Sequence, residues 1–254
     1  RELNGAEMFD TASSLIRLGL GRGFILSENR FLRAPTRIAR ERFMTKLRAV
    51  SRRHIIQGLT VAASFAFAGP AVAARLITTP HQTTGPFYPE ILPLDSDNDL
   101  VQVQGRTERA QGEVAHIFGR ILDQEGRPLR RARVEIWQCD TLGHYHHPRD
   151  GGGADPNFQG FGHTFAGEDG AYRFRTIKPV PYPGRAPHIH FAVSGKGFDR
   201  MTTQMYVAGN PLNQRDWILN SVRNTLARKK LIVSLGPAPQ IEPGALVGTF
   251  DIVI

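Results

Sequence analysis

The sequence predicts an all-β fold from about residue 75 onward, an antiparallel β-sandwich with long loops and one short helix. Short runs in which apolar and polar residues alternate recur along this part of the chain. A period of two is typical of strands that bury one face. The chain also contains 17 prolines and 26 glycines in 254 residues, which favours turns over long helices.

The predicted strands follow one another at short intervals and are separated by turn-forming residues. Residues 123–128 and 168–170 are the clearest turns, since each combines Asp or Glu with Gly. The predicted strands are 114–122, 132–138, 171–177, 188–194, 201–207, 230–235 and 248–254. A helical pattern is confined to residues 213–228. Short strands at this spacing indicate a sandwich.

Charge argues against a nucleic-acid partner. The formal net charge is +9, but residues 1–74 hold 12 Lys and Arg against 5 Asp and Glu, and residues 75–254 hold 20 against 18. The predicted folded part is therefore nearly neutral, and it shows no basic patch interleaved with aromatic residues. The single cysteine, Cys139, excludes an intramolecular disulfide, and we expect it to be a small buried side chain near Trp137.

Residues 44–74 have the pattern of a signal peptide. A positive stretch is followed by an apolar run over 55–67 and by the small residues Ala71-Val-Ala73. Ser51-Arg-Arg53 resembles a twin-arginine export signal, which predicts a periplasmic protein. We expect Met44 to be the true start and 1–43 to be an upstream extension that is not native. The alternatives are a membrane anchor at this apolar run or a helical domain over 1–74.

The stretch Tyr182-Pro-Gly-Arg185-Ala-Pro-His188-Ile-His190-Phe predicts a metal site. On a strand, His188 and His190 point to the same face, and paired imidazoles are typical of transition-metal sites. Tyr182 can fold back over that face across the Pro-Gly bend. Upstream, the loop 137–148 offers Tyr145 and three more histidines.

This set of ligands favours Fe(III). Phenolates are hard anionic donors, whereas zinc sites mostly use Cys, His and carboxylates, and the Fe(II) oxygenases use two His and one carboxylate. No Asp or Glu occurs between residues 180 and 195. Because a bound cation lowers the pKa of its ligand, a tyrosinate at neutral pH is reasonable.

These motifs, together with Thr84-Gly-Pro86, resemble the intradiol ring-cleavage dioxygenases, above all the β-chains of the protocatechuate 3,4-dioxygenase type, over about 80–254. The resemblance implies a sandwich of transthyretin or prealbumin-like topology and a non-haem Fe(III). It assigns four ligands, Tyr145, Tyr182, His188 and His190. It also implies that a catechol-type ring is cleaved with O2 between its two hydroxylated carbons, giving a muconate-type dicarboxylate.

Further roles follow from the same resemblance. Tyr182 would serve as both ligand and base, Arg185 would stabilise the electron-rich ring, and Gln204 would orient O2 or Arg185. Gly85, Pro86 and Tyr88 are candidate substrate contacts.

Three features of the sequence qualify this comparison. The other loop histidines, His144, His146 and His147, are expected to be solvent-exposed or to orient the ligands rather than to bind the metal, and His163 is expected at the surface or in a loop. Only five residues separate Tyr182 from His188, fewer than in known relatives, which suggests a more open site. Because the chain carries all four ligands, it could act as a homo-oligomer.

A non-catalytic protein is the alternative interpretation. The stretches 119–129 and 170–174 also resemble transthyretin-like and carboxypeptidase-regulatory sandwiches, which are mostly not enzymes. Such a module would bind a metal or a small ligand without turnover.

Overall fold

The computed structural model describes residues 74–254, so the predicted extension 1–43 and all but the last residue of the predicted signal peptide 44–74 lie outside the described residues. The described part forms two five-stranded sheets, which confirms the all-β prediction. Its strands are β1 (Val114–Leu122), β2 (Arg133–Trp137), β3 (Phe161–Phe165), β4 (Ala171–Ile177), β5 (His188–Gly195), β6 (Phe198–Val207), β7 (Ile232–Val233), β8 (Gly236–Pro237), β9 (Leu246–Thr249) and β10 (Ile252–Val253).

One sheet, called here the β1 sheet, contains β1, β4, β8, β9 and β10. Its order is β10-β1-β9-β8, and β4 pairs with β1 as well. The β1–β4 pair is antiparallel and runs from Val114 opposite Ile177 to Arg120 opposite Ala171. A Cβ on Gly119 in this pair would collide with the carbonyl of Phe250, so only glycine fits there.

The other sheet, called the β5 sheet, has the order β3-β2-β5-β6-β7. Its centre is the long antiparallel hairpin of β5 and β6, in which His190 lies opposite Gln204 and His188 opposite Tyr206. On the other side of β5, Trp137 of β2 lies opposite His190. The register of three strands therefore brings these side chains together.

The expectation of purely antiparallel sheets was wrong. β9 and β10 run parallel to β1, and β7 runs parallel to β6. An alternating pattern identifies which face of a strand is buried, but it carries no information on the direction of the neighbouring strand.

The expectation of one helix over 213–228 was also wrong. The chain there forms a 3₁₀ helix, Pro211–Gln214, followed by two short α-helices, α1 (Trp217–Ser221) and α2 (Thr225–Lys230). Asp216 and Asn224 cap the two α-helices by accepting hydrogen bonds from their first backbone N–H groups.

Two short strands, β3 and β8, were not predicted. Within residues 74–254, no helix is both long enough and apolar enough to cross a bilayer.

Apolar side chains from the two sheets meet in one large core. Phe191 of β5 has its ring centroid 6.5 Å from that of Phe174 on β4 and 5.0 Å from that of Phe250. All three rings are fully buried, and removing this apolar surface from water stabilises the fold. Cys139 is buried in a separate cluster with Trp137, as predicted, and burial raises the pKa of its thiol to about 12.

Candidate metal centre

Strand β5 positions the two histidines on the face that points away from the core. His188 and His190 are 1% and 2% exposed, and their Nε2 atoms lie 3.1 Å apart. Ile189, between them, faces the core. The indole of Trp137 stacks on His190 with ring centroids 4.8 Å apart and fixes the plane of that imidazole.

Both imidazoles are held in the neutral form that binds metals. Burial, with a further contribution from the Arg185 charge, lowers the pKa of His188 to about 3. Burial and the neighbouring His188 also lower the pKa of His190 well below its usual value. The Nδ1 of His188 donates to the carbonyl oxygen of Ala186 at 2.6 Å, which leaves the Nε2 lone pair available.

Two tyrosine rings complete the cluster. Tyr145 comes from the loop after β2, where its backbone N donates to Asp150 Oδ2 at 3.0 Å, and its ring stacks on Phe87 at 4.7 Å. The half-buried ring of Tyr182 lies 5.6 Å from Tyr145 and 5.4 Å from His188, between centroids. Burial raises the pKa of both phenols, so each would ionise at neutral pH only beside a compensating cation.

A tight turn places Arg185 beneath Tyr182. The Arg185 N–H donates to the carbonyl oxygen of Tyr182 at 2.9 Å, with Pro183 second and Gly184 third at φ 80°. This is the arrangement of a type II turn, whose third residue needs a positive φ. The turn returns the chain so that Nη1 of Arg185 lies 3.4 Å from the Tyr182 hydroxyl.

The Arg185 guanidinium is held by buried polar groups on two segments, the residue before helix α1 and strand β6. Its Nε donates to Asp216 Oδ2 at 2.9 Å and its Nη2 to Gln204 Oε1 at 2.5 Å. Gln204 is in turn fixed by donating to the carbonyl oxygen of Thr83 at 3.1 Å and by accepting from the Tyr206 hydroxyl at 3.0 Å. Gln204 therefore contacts the Arg185 guanidinium directly, as the prediction that it could orient Arg185 requires.

Asp216 is a buried carboxylate that joins Arg185 to helix α1. It accepts from the backbone N of Ala186 at 2.9 Å and from those of Ile218 and Leu219 at 3.1 and 3.0 Å. Burial alone would raise its pKa, but these hydrogen bonds and the Arg185 charge lower it, so the carboxyl stays ionised. Sequence reasoning missed Asp216, Tyr206 and Trp137, although the Asp before Trp-Ile-Leu is a recognisable helix cap.

The donor chemistry fits a hard trivalent cation. Within residues 74–254 there is no cluster of three His, Cys, Asp or Glu side chains suited to a metal. The two phenols and two imidazoles that are present differ from the Cys, His and carboxylate ligands typical of zinc and from the two His and one carboxylate typical of Fe(II) oxygenases. The buried Tyr145 hydroxyl also has no hydrogen-bond partner in the described chain, as expected for an atom whose partner is an ion.

The other predicted residues lie at different distances from this centre. Gly85 approaches closely, since a Cβ built there would lie 3.2 Å from Cε1 of His190, and the exposed Pro86 follows it. Tyr88 lies behind Trp137 and donates to Glu135 Oε2 at 3.1 Å, so the structure does not bring its hydroxyl to the four rings. A substrate contact through Gly85, Pro86 or Tyr88 stays a prediction.

The loop histidines bind protein groups. His144 and His146 hydrogen-bond to Asp150 Oδ2 and to the carbonyl oxygen of Asp155, while His147 accepts from the backbone N of Arg149. Of the two alternatives predicted for His147, solvent exposure is excluded, because its side chain is buried, and His163 lies half-buried on β3 rather than in a loop.

Two cavities border the tyrosines. One of about 410 Å³ lies against Tyr145, with Phe87, Leu94, Trp137 and Phe161 among its mostly apolar walls. Another of about 210 Å³ lies against Tyr182 and Arg185.

Comparison with known proteins identifies the family. A family model described as "Dioxygenase" matches residues 83–254. The protocatechuate 3,4-dioxygenase beta chain of Burkholderia cepacia is 39% identical over 168 residues, which are 62% of this chain and 71% of that protein. A hydroxyquinol 1,2-dioxygenase of Corynebacterium glutamicum is 33% identical over 47% of this chain and 44% of its own length.

Solved structures give the same assignment. The dioxygenase domain of a dioxygenase carbohydrate-binding fusion protein from Streptomyces sp. SirexAA-E is 29% identical, with a TM-score of 0.55 over 70% of this chain and 98% of that chain. Catechol 1,2-dioxygenase from Acinetobacter sp. ADP1 is 28% identical, with a TM-score of 0.54 over 69% of this chain and 62% of that chain. With its matched residues and its cluster of two tyrosines and two histidines, this chain belongs to the intradiol ring-cleavage dioxygenase family.

Proposed function

We propose that this protein is a non-haem Fe(III) dioxygenase that cleaves a catechol-type ring with O2 between the two hydroxylated carbons, giving a muconate-type dicarboxylate. The observation that carries the proposal is the convergence of two neutral, buried imidazoles and two phenol rings on one point. The relatives are dioxygenases of protocatechuate, hydroxyquinol and catechol, which favours catalysis over a binding module. We also propose that the two sheets have the transthyretin or prealbumin-like topology.

The four rings of Tyr145, Tyr182, His188 and His190 would hold the iron. A bound Fe(III) would lower the pKa of a chelated catechol and draw electron density from its ring, which makes the ring reactive toward O2. Tyr182 is the one of the four that is half-exposed and that sits on a turn. Its phenolate oxygen is therefore the group that can accept a proton from a catechol hydroxyl.

Arg185 would stabilise the negative charge of the catecholate. Its guanidinium is buried and stays cationic, because Asp216 and Gln204 accept its hydrogen bonds. A fixed charge in a site with little water acts more strongly than the same charge in solvent. Gln204 and Asp216 act on the reaction through Arg185 by keeping that charge in place.

The test is oxygen uptake by the iron-loaded protein with catechol. We expect a red-brown protein whose colour shifts when catechol binds, one O2 consumed per ring, and a dicarboxylate that contains both oxygen atoms. His190→Ala should lose the colour and lower kcat/KM by at least about a thousandfold. His163→Ala, a histidine change at the edge of the same sheet, is the matched control. A semialdehyde product, or a colourless protein that carries zinc, would contradict the proposal.

We propose further that residues 44–74 direct export through the twin-arginine route and that the mature protein is a homo-oligomer. The support for export is the Ser51-Arg-Arg53 motif, the apolar run and the small residues Ala71-Val-Ala73. The support for a homo-oligomer is that one chain supplies all four rings of the candidate centre. N-terminal sequencing of the exported protein should begin just after these alanines. A mature chain that retains residues before 44 would contradict this.

A further inference from the structure

The two histidines of the candidate metal centre are held in place by different means. His188 donates from Nδ1 to the carbonyl oxygen of Ala186 at 2.6 Å, and a hydrogen bond of this kind usually fixes the orientation of a metal-binding imidazole. Nδ1 of His190 is buried and has no hydrogen-bond partner among residues 74–254. His190 instead stacks on the indole of Trp137, with ring centroids 4.8 Å apart and ring planes 11° apart. The orientation of His190 therefore depends on how firmly Trp137 itself is held.

Trp137 is held by packing against Tyr88. The indole Nε1 is buried and has no hydrogen-bond partner in the described part of the chain, so no hydrogen bond of the ring fixes its position there. Tyr88 meets the indole edge to face, with ring centroids 5.0 Å apart and ring planes at 87°, and it meets Phe161 in the same manner at 5.9 Å. Aromatic pairs in this arrangement attract each other beyond the burial of their surface. Tyr88 thus supports the indole on which His190 stacks.

Tyr88 is in turn anchored by a buried carboxylate. Its hydroxyl donates to Glu135 Oε2 at 3.1 Å, and Glu135 also accepts from Arg200 Nη2 at 2.9 Å and from Arg133 Nε at 2.8 Å. The guanidinium carbon of Arg200 lies 4.9 Å from the centroid of the Tyr88 ring, which adds a cation–π contact. Glu135 and Trp137 are two residues apart on β2 and so share one face of the sheet. Tyr88 is therefore fixed through both its hydroxyl and its ring.

We propose that Tyr88 is a positioning residue for the iron ligand His190, acting through Trp137, instead of the substrate contact that the sequence predicts. The inference rests on the iron site of the proposed function. The Tyr88 hydroxyl is committed to Glu135, so it is not free to donate to a substrate. The packed aromatic rings take the place, at His190, of the hydrogen bond that orients His188, and they keep the imidazole in one orientation for binding the ion.

The experiment compares two substitutions of Tyr88 in the iron-loaded protein without substrate. Tyr88→Leu removes the ring, whereas Tyr88→Phe keeps the ring and removes only the hydroxyl. The Kd for Fe(III) is measured by competition with citrate, and the electron paramagnetic resonance spectrum reports the symmetry of the iron site. We expect Tyr88→Leu to raise the Kd about tenfold and to broaden the Fe(III) signal, because the groups that orient a ligand contribute about 10–100-fold to metal affinity. Tyr88→Phe should raise the Kd only about threefold, since one hydrogen bond is lost and the packing remains.

Tyr172→Phe is the matched control for a loss of stability. It removes another tyrosine hydroxyl, one that donates to the carbonyl oxygen of Phe250, from a ring that packs against Phe174 and Phe191 rather than against Trp137. This variant should keep the wild-type Kd for Fe(III) and the wild-type spectrum. A change as large as that of Tyr88→Phe would overturn the inference, because lost stability alone would then explain it.

The remaining outcomes separate this inference from the proposed function. A Tyr88→Leu protein with the wild-type Kd for Fe(III) and the wild-type spectrum overturns the inference, and weaker catechol binding by that protein would make Tyr88 a substrate contact. If Tyr88→Leu does not fold, an unchanged Kd in Tyr88→Phe overturns the inference by itself. A wild type that holds iron but consumes no O2 with catechol contradicts the proposed function alone, since both measurements are made without substrate.

Discussion

The two sheets differ in what their polar side chains contact. In the β5 sheet, polar residues such as His188, His190 and Gln204 are buried on the face away from the core. In the β1 sheet, the partly exposed Arg175 of β4 and the buried His116 of β1 both contact Glu242, a residue of the loop between β8 and β9. Both sheets therefore bury polar side chains, but those of the β5 sheet surround the candidate metal centre, whereas His116 and Arg175 of the β1 sheet bind the carboxylate of Glu242.

This difference has an energetic cost on the β5 side. The Tyr145 hydroxyl and His190 Nδ1 are buried without hydrogen-bond partners among residues 74–254. Each such group costs about 1–3 kcal/mol relative to a hydrogen-bonded one. The apolar core shared by the two sheets has to offset that cost, so stability and site chemistry should respond to different substitutions.

The largest expected effect is on the core. Phe174→Ala removes a fully buried ring from β4 and should lower the free energy of unfolding by about 3–5 kcal/mol. Urea unfolding measures this, and iron binding by the folded variant should be unchanged. Phe165→Ala, at an exposed ring on β3, should cost less than about 0.5 kcal/mol. A folded Phe174→Ala protein that no longer binds iron would show that the two sheets are not separable.

A smaller effect on the free energy of unfolding is expected where Arg185 meets helix α1. Asp216→Asn removes the charge that balances Arg185 and should cost about 2–3 kcal/mol of stability. It should also lower kcat about tenfold, because Arg185 loses its orientation. The colour of the iron-loaded protein, which depends on the four rings, should persist. Asp199→Asn, an exposed carboxylate on β6, is the control. Unchanged kcat in Asp216→Asn would remove it from the positioning of Arg185.

The smallest effect is expected at the surface of the β1 sheet and depends on pH. Two hydrogen bonds from Arg175, at 2.7 and 2.8 Å, lower the pKa of Glu242 from 4.5 to about 2, and Arg109 and His116 also face it. Because the folded pKa is the lower one, Glu242 contributes stability above pH 4.5 and loses it as the pH falls toward 2.

Glu242→Gln should therefore cost at most about 1 kcal/mol at pH 7, since the pair is partly exposed. The difference from the wild type should shrink between pH 4.5 and 2. Urea unfolding at pH 7 and pH 3 measures both values. A difference that grows at low pH would contradict this account.

Sequence patterns predicted what depends on local periodicity. The bounds of β1 and β4 were predicted correctly, because a strand with one buried face shows its period within a few residues. Which strands run parallel to β1 was not predictable, since that depends on how the chain returns after residue 235. The helical pattern over 213–228 was broken by Asp216 and Asn224, whose side chains favour capping over continuing a helix.

The candidate site likewise contains residues that the sequence predicted and residues that it missed. The alternation in His188-Ile189-His190 placed both imidazoles on one face from the sequence alone, and the structure brings Tyr145, Tyr182 and Arg185 to them. Trp137 was missed because its stacking on His190 follows from the β2–β5 register. Asp216 was missed because its partner Arg185 lies 31 residues earlier. Contacts of this kind are set by the fold and leave no local signal.

The candidate metal centre exists only when β5 and β6 pair in the correct register. Its two strands are joined by only Lys196 and Gly197, and a shift of pairing by one residue would turn both imidazoles toward the core and Ile189 away from it. A chain with a misaligned hairpin thus has no place for an ion at all, rather than a weakened one. Colour in the iron-loaded protein would therefore count the molecules whose two strands are correctly aligned.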